Sequence, residues 1–161
     1  MEIERKFLVK YIPENLESYP HNEIAQGYIS ISPVIRIRKS DERYILTVKS
    51  SGFLCREEFE TEMTADEFKK LSCKVEGNVI SKTRYKIPLP GNLTAELDIF
   101  HDDFEGLIYV EVEFSDVPSA EAFQIPDFFG RELTEEAGYS NSDLSSMKKE
   151  DIKPFIEKNM N

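Results

Sequence analysis

The feature that most limits what this chain can fold into is its alternation. In eight separate stretches charged or polar side chains change places with apolar ones at every residue, the mark of strands whose two faces meet different surroundings. The expected strands are Glu2–Lys10, Glu23–Ser30, Val34–Lys39, Arg43–Lys49, Arg56–Met63, Val79–Ile87, Leu93–Phe100 and Leu107–Phe114. Turn-forming residues separate them at Pro33, Ser40-Asp41, Ser51-Gly52, Pro88-Leu89-Pro90-Gly91 and between Asp102 and Gly106. Eight strands joined mostly by short loops predict an antiparallel meander able to close on itself.

Successive side chains of a strand point to opposite sides, so each strand can be sorted by face. Glu2, Glu4 and Lys6 share one face of the first strand; Ile3, Arg5, Phe7 and Val9 share the other, which puts Arg5 outside any enclosed volume. Arg36 and Arg38, Lys49 with Thr47, Lys82 with Arg84, Glu96 with Asp98, and Glu111 with Glu113 stand on single faces in the same way. The signs are sorted by strand, whereas a surface that only confers solubility mixes them. Six acids and six bases turned inward would not survive in a dry core. They suit a wet tunnel. In it the acids would hold one or two hard divalent cations, Mg²⁺ or Mn²⁺, and the bases would hold phosphoryl oxygens, Arg through forked contacts and Lys as a point charge.

Helices are expected outside this sheet. Thr64-Ala65-Asp66-Glu67 has the capping-box pattern, Ser119–Phe123 suits a short turn of helix, and Ser140-Asn141-Ser142-Asp143 caps another. The tail 148–161, interrupted by Pro154, is either a short helix or a frayed end.

With 161 residues the chain suits one domain spanning 1–161. A net charge of -11 argues against nucleic acid and against an anionic membrane surface, yet a local basic cluster inside an acidic shell remains open to a small polyanion. No run of about 18 apolar residues and no signal-peptide pattern is present, and Cys55 and Cys73 have no framework spacing. A cytoplasmic protein with reduced thiols is expected. His21 and His101 lack partners at metal-ligand spacing and are expected at the surface.

Glu2-Ile3-Glu4-Arg5-Lys6 is a weak motif alone, but it heads a series: Gln26-Gly27-Tyr28, Arg36-Ile37-Arg38, Thr47-Val48-Lys49, Lys82-Thr83-Arg84-Tyr85, Glu96-Leu97-Asp98, Glu111-Val112-Glu113-Phe114, Gly130-Arg131-Glu132-Leu133-Thr134 and Tyr139-Ser140-Asn141. In this order the series resembles the CYTH superfamily, the triphosphate tunnel metalloenzymes, over about residues 1–147. The resemblance implies an eight-stranded closed antiparallel β-barrel with helices packed outside, and metal-dependent chemistry on a small-molecule triphosphate. It implies metal-binding roles for Glu2, Glu4, Glu96, Asp98, Glu111 and Glu113, and a phosphate grip of Lys6, Arg36, Arg38, Lys49, Lys82 and Arg84, with Arg56 as an addition unless its neighbours form an outer solvated face. Tyr28 and Lys82 match a pair proposed in hydrolytic relatives to move protons. Tyr139-Ser140-Asn141 is read as structural, starting a helix that plugs or braces one tunnel end. Inorganic tripolyphosphate is the expected substrate, with nucleoside triphosphates beside it. Cyclisation of ATP, hydrolysis of thiamine triphosphate and non-catalytic polyphosphate binding are the alternatives, and dimerisation stays open.

Overall fold

The computed structural model describes residues 1–160. Its strands are β1 (Glu2–Val9), β2 (His21–Ile31), β3 (Val34–Ser40), β4 (Arg43–Lys49), β5 (Cys55–Arg56), β6 (Glu58–Met63), β7 (Glu76–Leu89), β8 (Leu93–Phe100), β9 (Ile108–Glu113) and β10 (Phe129–Glu132). They form one antiparallel sheet in the order β10-β1-β9-β8-β7-β2-β3-β4-β6, while β5 pairs with β1. The expected fifth strand is therefore bent at Glu57. Its first part lies on β1, with Glu2 opposite Arg56 and Ile3 opposite Cys55, and its second lies on β4, with Lys49 opposite Glu58. That bend brings the sheet back onto itself. The eight expected strands make a barrel that is nearly closed, because the seam is only those two residue pairs and the bond from the Glu4 amide to the Leu54 carbonyl. β10 is a ninth strand, unforeseen because four residues show no alternation; it lies along the other half of β1, with Phe7 opposite Glu132.

Outward apolar residues of β1, β8 and β9 (Phe7, Val9, Ala95, Leu97, Val110 and Val112) pack under the segment carrying α2 (Val117–Glu121), with Ala120, Phe123 and Phe129 as its cover. Arg5 lies outside the barrel as expected and fastens this cover. Its guanidinium donates to both Glu132 oxygens at 2.6 and 2.8 Å and to the Ala120 carbonyl at 2.8 Å. Helix α2 begins two residues before the expected turn, capped by Asp116, whose carboxylate accepts from the Ser119 amide at 2.7 Å.

A second core lies inside the barrel. Leu8, Ile80, Phe100 and Tyr109 share the inward faces that carry Lys6, Lys82, Asp98 and Glu111, so each of those faces changes from charge to hydrocarbon within two residues. That apolar end is stoppered by α3 (Asn141–Ser146) and α4 (Lys149–Asn159), which bring in Leu144, Ile152 and Ile156. Lys149–Asn159 of the tail is thus a helix with Pro154 accommodated within it, and residue 161 lies outside the described residues. Ser140 and Asp143 form the capping box that starts α3. Gly77 seats the helix on β7. At its φ of 74° a Cβ would lie 2.1 Å from the Ser145 carbonyl oxygen, a contact only glycine permits. Beside it Asn78 donates to the carbonyls of Leu144 at 2.9 Å and Met147 at 2.8 Å, closing the helix end.

Helix α1 (Ala65–Ser72) has the foreseen box between Thr64 and Glu67 and rests on β3 and β4, its Phe68 ring 5.0 Å from that of Tyr44. His21 is exposed, but His101 is half-buried and bonded to Thr83 at 2.7 Å, a correction to its expected surface position. Cys55 and Cys73 are free thiols. Among the described residues no helix is long and apolar enough to cross a membrane.

Candidate active site

The charged half of the barrel encloses a cavity of about 240 Å³. Glu2, Glu4 and Lys6 reach it from β1, Tyr28 from β2, Arg36 and Arg38 from β3, Lys49 from β4 and Arg56 from β5. Lys82 and Arg84 come from β7, Glu96 from β8, and Glu111 and Glu113 from β9. Every residue expected to hold metal, grip phosphate or move protons borders this one volume except Asp98. That carboxylate is fully buried behind the wall, where Lys82 Nζ approaches to 2.8 Å and Arg84 grips it with two nitrogens at 2.8 and 2.9 Å. Four further groups complete the lining or its support: Glu58, Glu60, Gln26 and Asn141. Glu58 and Glu60 face inward beside Arg56, so these two do not belong to an outer solvated face. Their alternation with Phe59 was visible, but their pairing with Thr47 and Lys49 of β4, which sets them on the inner face, was not.

The cations divide into two groups. Lys49 is held by Glu2 at 2.9 Å, and Lys82 and Arg84 are held by Asp98. Lys6, Arg36, Arg38 and Arg56 have no carboxylate within ion-pair distance among the described residues. Arg36 donates to Thr47 Oγ1 at 3.1 Å, Arg38 donates to Gln26 Oε1 at 2.8 Å, and Lys6 Nζ stands 5.3 Å from the centre of the Tyr109 ring. The Nε atoms of Arg36 and Arg56 are buried with no acceptor among the described residues. A buried guanidinium N–H without an acceptor is costly and uncommon, and a cavity built for an oxygen-rich anion supplies the missing partners. Burial, with Arg36 and Arg84 adding to it, presses Arg38 down to about 9, still charged at neutral pH.

The acids crowd the opposite side. Burial, then the charges of Glu111 and Glu2, push Glu4 up to about 8, so Glu4 holds a proton and hydrogen-bonds Glu111. Burial opposes ionisation of Glu111 too, but Lys6, Arg84 and Lys82 outweigh it and keep that carboxyl well below the usual range. Burial and its bond with Glu58 raise Glu2 against the pull of Lys49; burial, Glu2 and Glu96 raise Glu113. Carboxyls raised by burial and by one another's charge are the donor set that a divalent cation relieves, since it brings two positive charges among them. No three acidic, His or Cys side chains among the described residues already converge around a single point. A Mg²⁺-like ion needs only one or two carboxylates when waters and phosphate oxygens fill its other positions. The residues fit such an ion.

Lys82 is pulled in opposite directions by its surroundings. Burial lowers it to about 7, with Asp98 opposing and Arg84 and Arg38 reinforcing the shift. Tyr28 also borders the cavity, but it does not touch Lys82. The Tyr28 hydroxyl meets Gln26 Nε2 at 3.4 Å, Gln26 Nε2 donates to Asn141 Oδ1 at 3.1 Å, and Lys82 donates to the same oxygen at 3.0 Å. Asn141, expected to be structural, thus reaches from the plug into the site. Its contacts lie far off in the sequence, so no local pattern marks them.

A nearly closed antiparallel barrel, with bases free to hold an anion and acids free to hold a cation, defines a class of pocket for metal-bound polyanions. The comparisons with known proteins agree with it. Residues 1–146 match the CYTH domain family, and the chain belongs to that family. It is 39% identical over 148 residues to an inorganic triphosphatase of Nitrosomonas europaea, covering 89% of this chain and 96% of that protein. It is 36% identical to an inorganic triphosphatase of Acetivibrio thermocellus, covering 89% and 92%. The crystal structure of the inorganic triphosphatase NE1496 superposes with a TM-score of 0.68 at 34% identity, over 92% of this chain and 96% of that one.

Proposed function

We propose that this chain is a metal-dependent inorganic triphosphatase that releases orthophosphate from tripolyphosphate inside the barrel. The observation that carries the proposal is the pairing of four cations lacking acid partners with a cluster of mutually repelling acids in one cavity. The curated relatives supply the activity by name.

In this reading Lys6, Arg36, Arg38 and Arg56 grip the phosphoryl oxygens, joined by Lys49 as Glu2 turns to the metal and by Lys82 and Arg84, which Asp98 holds against the cavity wall. Glu2, Glu4, Glu111 and Glu113 hold Mg²⁺ or Mn²⁺, with Glu96 at their edge and Asp98 acting from behind through Lys82 and Arg84. When bound, the cation neutralises charge on the phosphoryl oxygens and makes the terminal phosphorus more open to attack. The wall residues hold the chain in line with an attacking water, whose oxygen bonds to the terminal phosphorus as the bridging P–O bond breaks and pyrophosphate leaves. Lys82, lowered to about 7, exchanges a proton near neutral pH, and Tyr28 stands on the same wall to assist. A cytoplasmic setting belongs to the same proposal.

One observation favours a second substrate class. A vestibule of about 360 Å³ adjoins the cavity, sharing Glu4, Lys6 and Arg56, and is walled in part by Ile31, Pro33 and Phe53. It has room and apolar surface for the organic part of a nucleoside triphosphate. The test offers tripolyphosphate, ATP and thiamine triphosphate to the purified protein with Mg²⁺ or Mn²⁺, following orthophosphate and cyclic AMP. Tripolyphosphate should turn over fastest, with phosphate and no cyclic AMP from ATP. No turnover of any of the three, or cyclic AMP as the main product, would refute the proposal.

A further inference from the structure

One side chain of the plug touches two walls of the cavity at once. Asn141 is the first residue of α3, lines the cavity and is 9% exposed. Its Oδ1 accepts from Lys82 Nζ at 3.0 Å and from Gln26 Nε2 at 3.1 Å, and Gln26 Oε1 accepts from Arg38 Nε at 2.8 Å. The orientation of a carboxamide follows from its partners, and here the partners leave no choice. A guanidinium cannot accept, so the Gln26 oxygen faces Arg38 and its nitrogen faces Asn141. The Gln26 nitrogen can only donate, so Asn141 turns its oxygen to Gln26, and the same oxygen meets Lys82. Both lone pairs of that oxygen are then used. The Asn141 NH₂ has no acceptor among the described residues, on a side chain that borders the volume where Lys82 and Arg38 also present their donors.

We propose that Asn141 is a substrate-contacting residue: its nitrogen donates to a phosphoryl oxygen while its oxygen holds Lys82 and Gln26 in position. The proposal rests on the triphosphate reading of the cavity. It gives the plug a second role beyond closing the apolar end, because a bound triphosphate joins α3 to β2 through Gln26 and to β7 through Lys82.

Two variants separate the contact from the scaffold. Asn141→Asp keeps an oxygen for Lys82 and Gln26 but exchanges the donor for an anion; Asn141→Ala removes both functions. Tripolyphosphate binding in EDTA would be measured by titration calorimetry below each variant's thermal midpoint, together with KM and kcat in Mg²⁺. Both variants should bind at least about ten-fold more weakly and show KM raised to match, as expected for a lost hydrogen bond to a charged group. Asn141→Asp should keep the wild-type midpoint, and Asn141→Ala should fall below it. Wild-type affinity and KM in Asn141→Asp would overturn the proposed contact and leave Asn141 a brace. Wild-type protein that neither binds nor cleaves tripolyphosphate would overturn the triphosphate reading and this proposal together.

Discussion

Glu4 and Asp98 point into or lie behind the same wall, and the environments that burial gives them make their substitutions behave oppositely. Glu4 is pushed up to about 8 by burial and by Glu111 and Glu2, so below that pH it already carries a proton. Glu4→Gln copies the protonated form, and the thermal midpoint at neutral pH should match the wild type. Asp98 is ionised, fully buried, and neutralises both Lys82 and Arg84. Asp98→Asn strips Lys82 of its ion-pair partner and leaves Arg84 only the longer contacts to Glu96 at 3.4 Å and Glu111 at 3.8 Å, which should cost about 3–5 kcal/mol in denaturant unfolding. Equal midpoints for the two variants would show that the assignment of charge is wrong. The parity of the alternation placed both residues on inward faces, but depth along the strand decides which one meets the cavity. No spacing rule carries that depth.

At the scale of elements, the plug and the cover are fastened differently. Helix α3 depends on backbone approach at Gly77, so Gly77→Ala must push the helix away from β7 or strain a positive φ. A loss of about 1–3 kcal/mol is expected, accompanied by faster hydrogen exchange in α3, and unchanged exchange there would contradict the packing. The cover depends on Arg5 and Glu132. Their bond, aided by Thr134 and outweighing partial burial, holds the Glu132 carboxyl below its ordinary range. The folded state therefore releases that proton more readily than the unfolded chain. The pair contributes fully above the ordinary carboxylate range and loses its contribution as pH falls towards the lowered value. Glu132→Gln should flatten the acid limb of the stability–pH curve, a result checked by urea unfolding between pH 3 and 7 (about the span of an ordinary carboxyl titration). The long strands and both capping boxes were legible because each rests on a local pattern of four to nine residues. β10 and the bend at Glu57 were not, since both are set by pairing with β1, far away in the chain.

The whole molecule carries a net charge of -11 yet concentrates free cations inside its barrel. An acidic shell around a basic lining should exclude nucleic acid while admitting a small polyanion. In EDTA, tripolyphosphate at about 100 times its dissociation constant should stabilise the fold by about 2.7 kcal/mol, raising the thermal midpoint, whereas orthophosphate at equal ionic strength should raise it less. Equal shifts from the two anions would mean that the cavity does not select a chain of phosphates. The class of chemistry was legible because twelve inward charges are too costly to bury for stability alone, and a plugging helix was expected after Tyr139; the inward apolar end that it stops was not legible, because Leu8, Ile80, Phe100 and Tyr109 keep the same parity as the charges. Acids and bases in this cavity are proposed to act together, through a divalent cation, to cleave a triphosphate. The decisive experiment follows orthophosphate release from tripolyphosphate by wild type and Glu4→Gln, with Mg²⁺ or Mn²⁺ and again after EDTA. Release by the wild type should be rapid and metal-dependent, abolished by EDTA and reduced roughly 10²-fold or more in Glu4→Gln. Release that survives EDTA, or a Glu4→Gln protein as fast as the wild type, would contradict this mechanism.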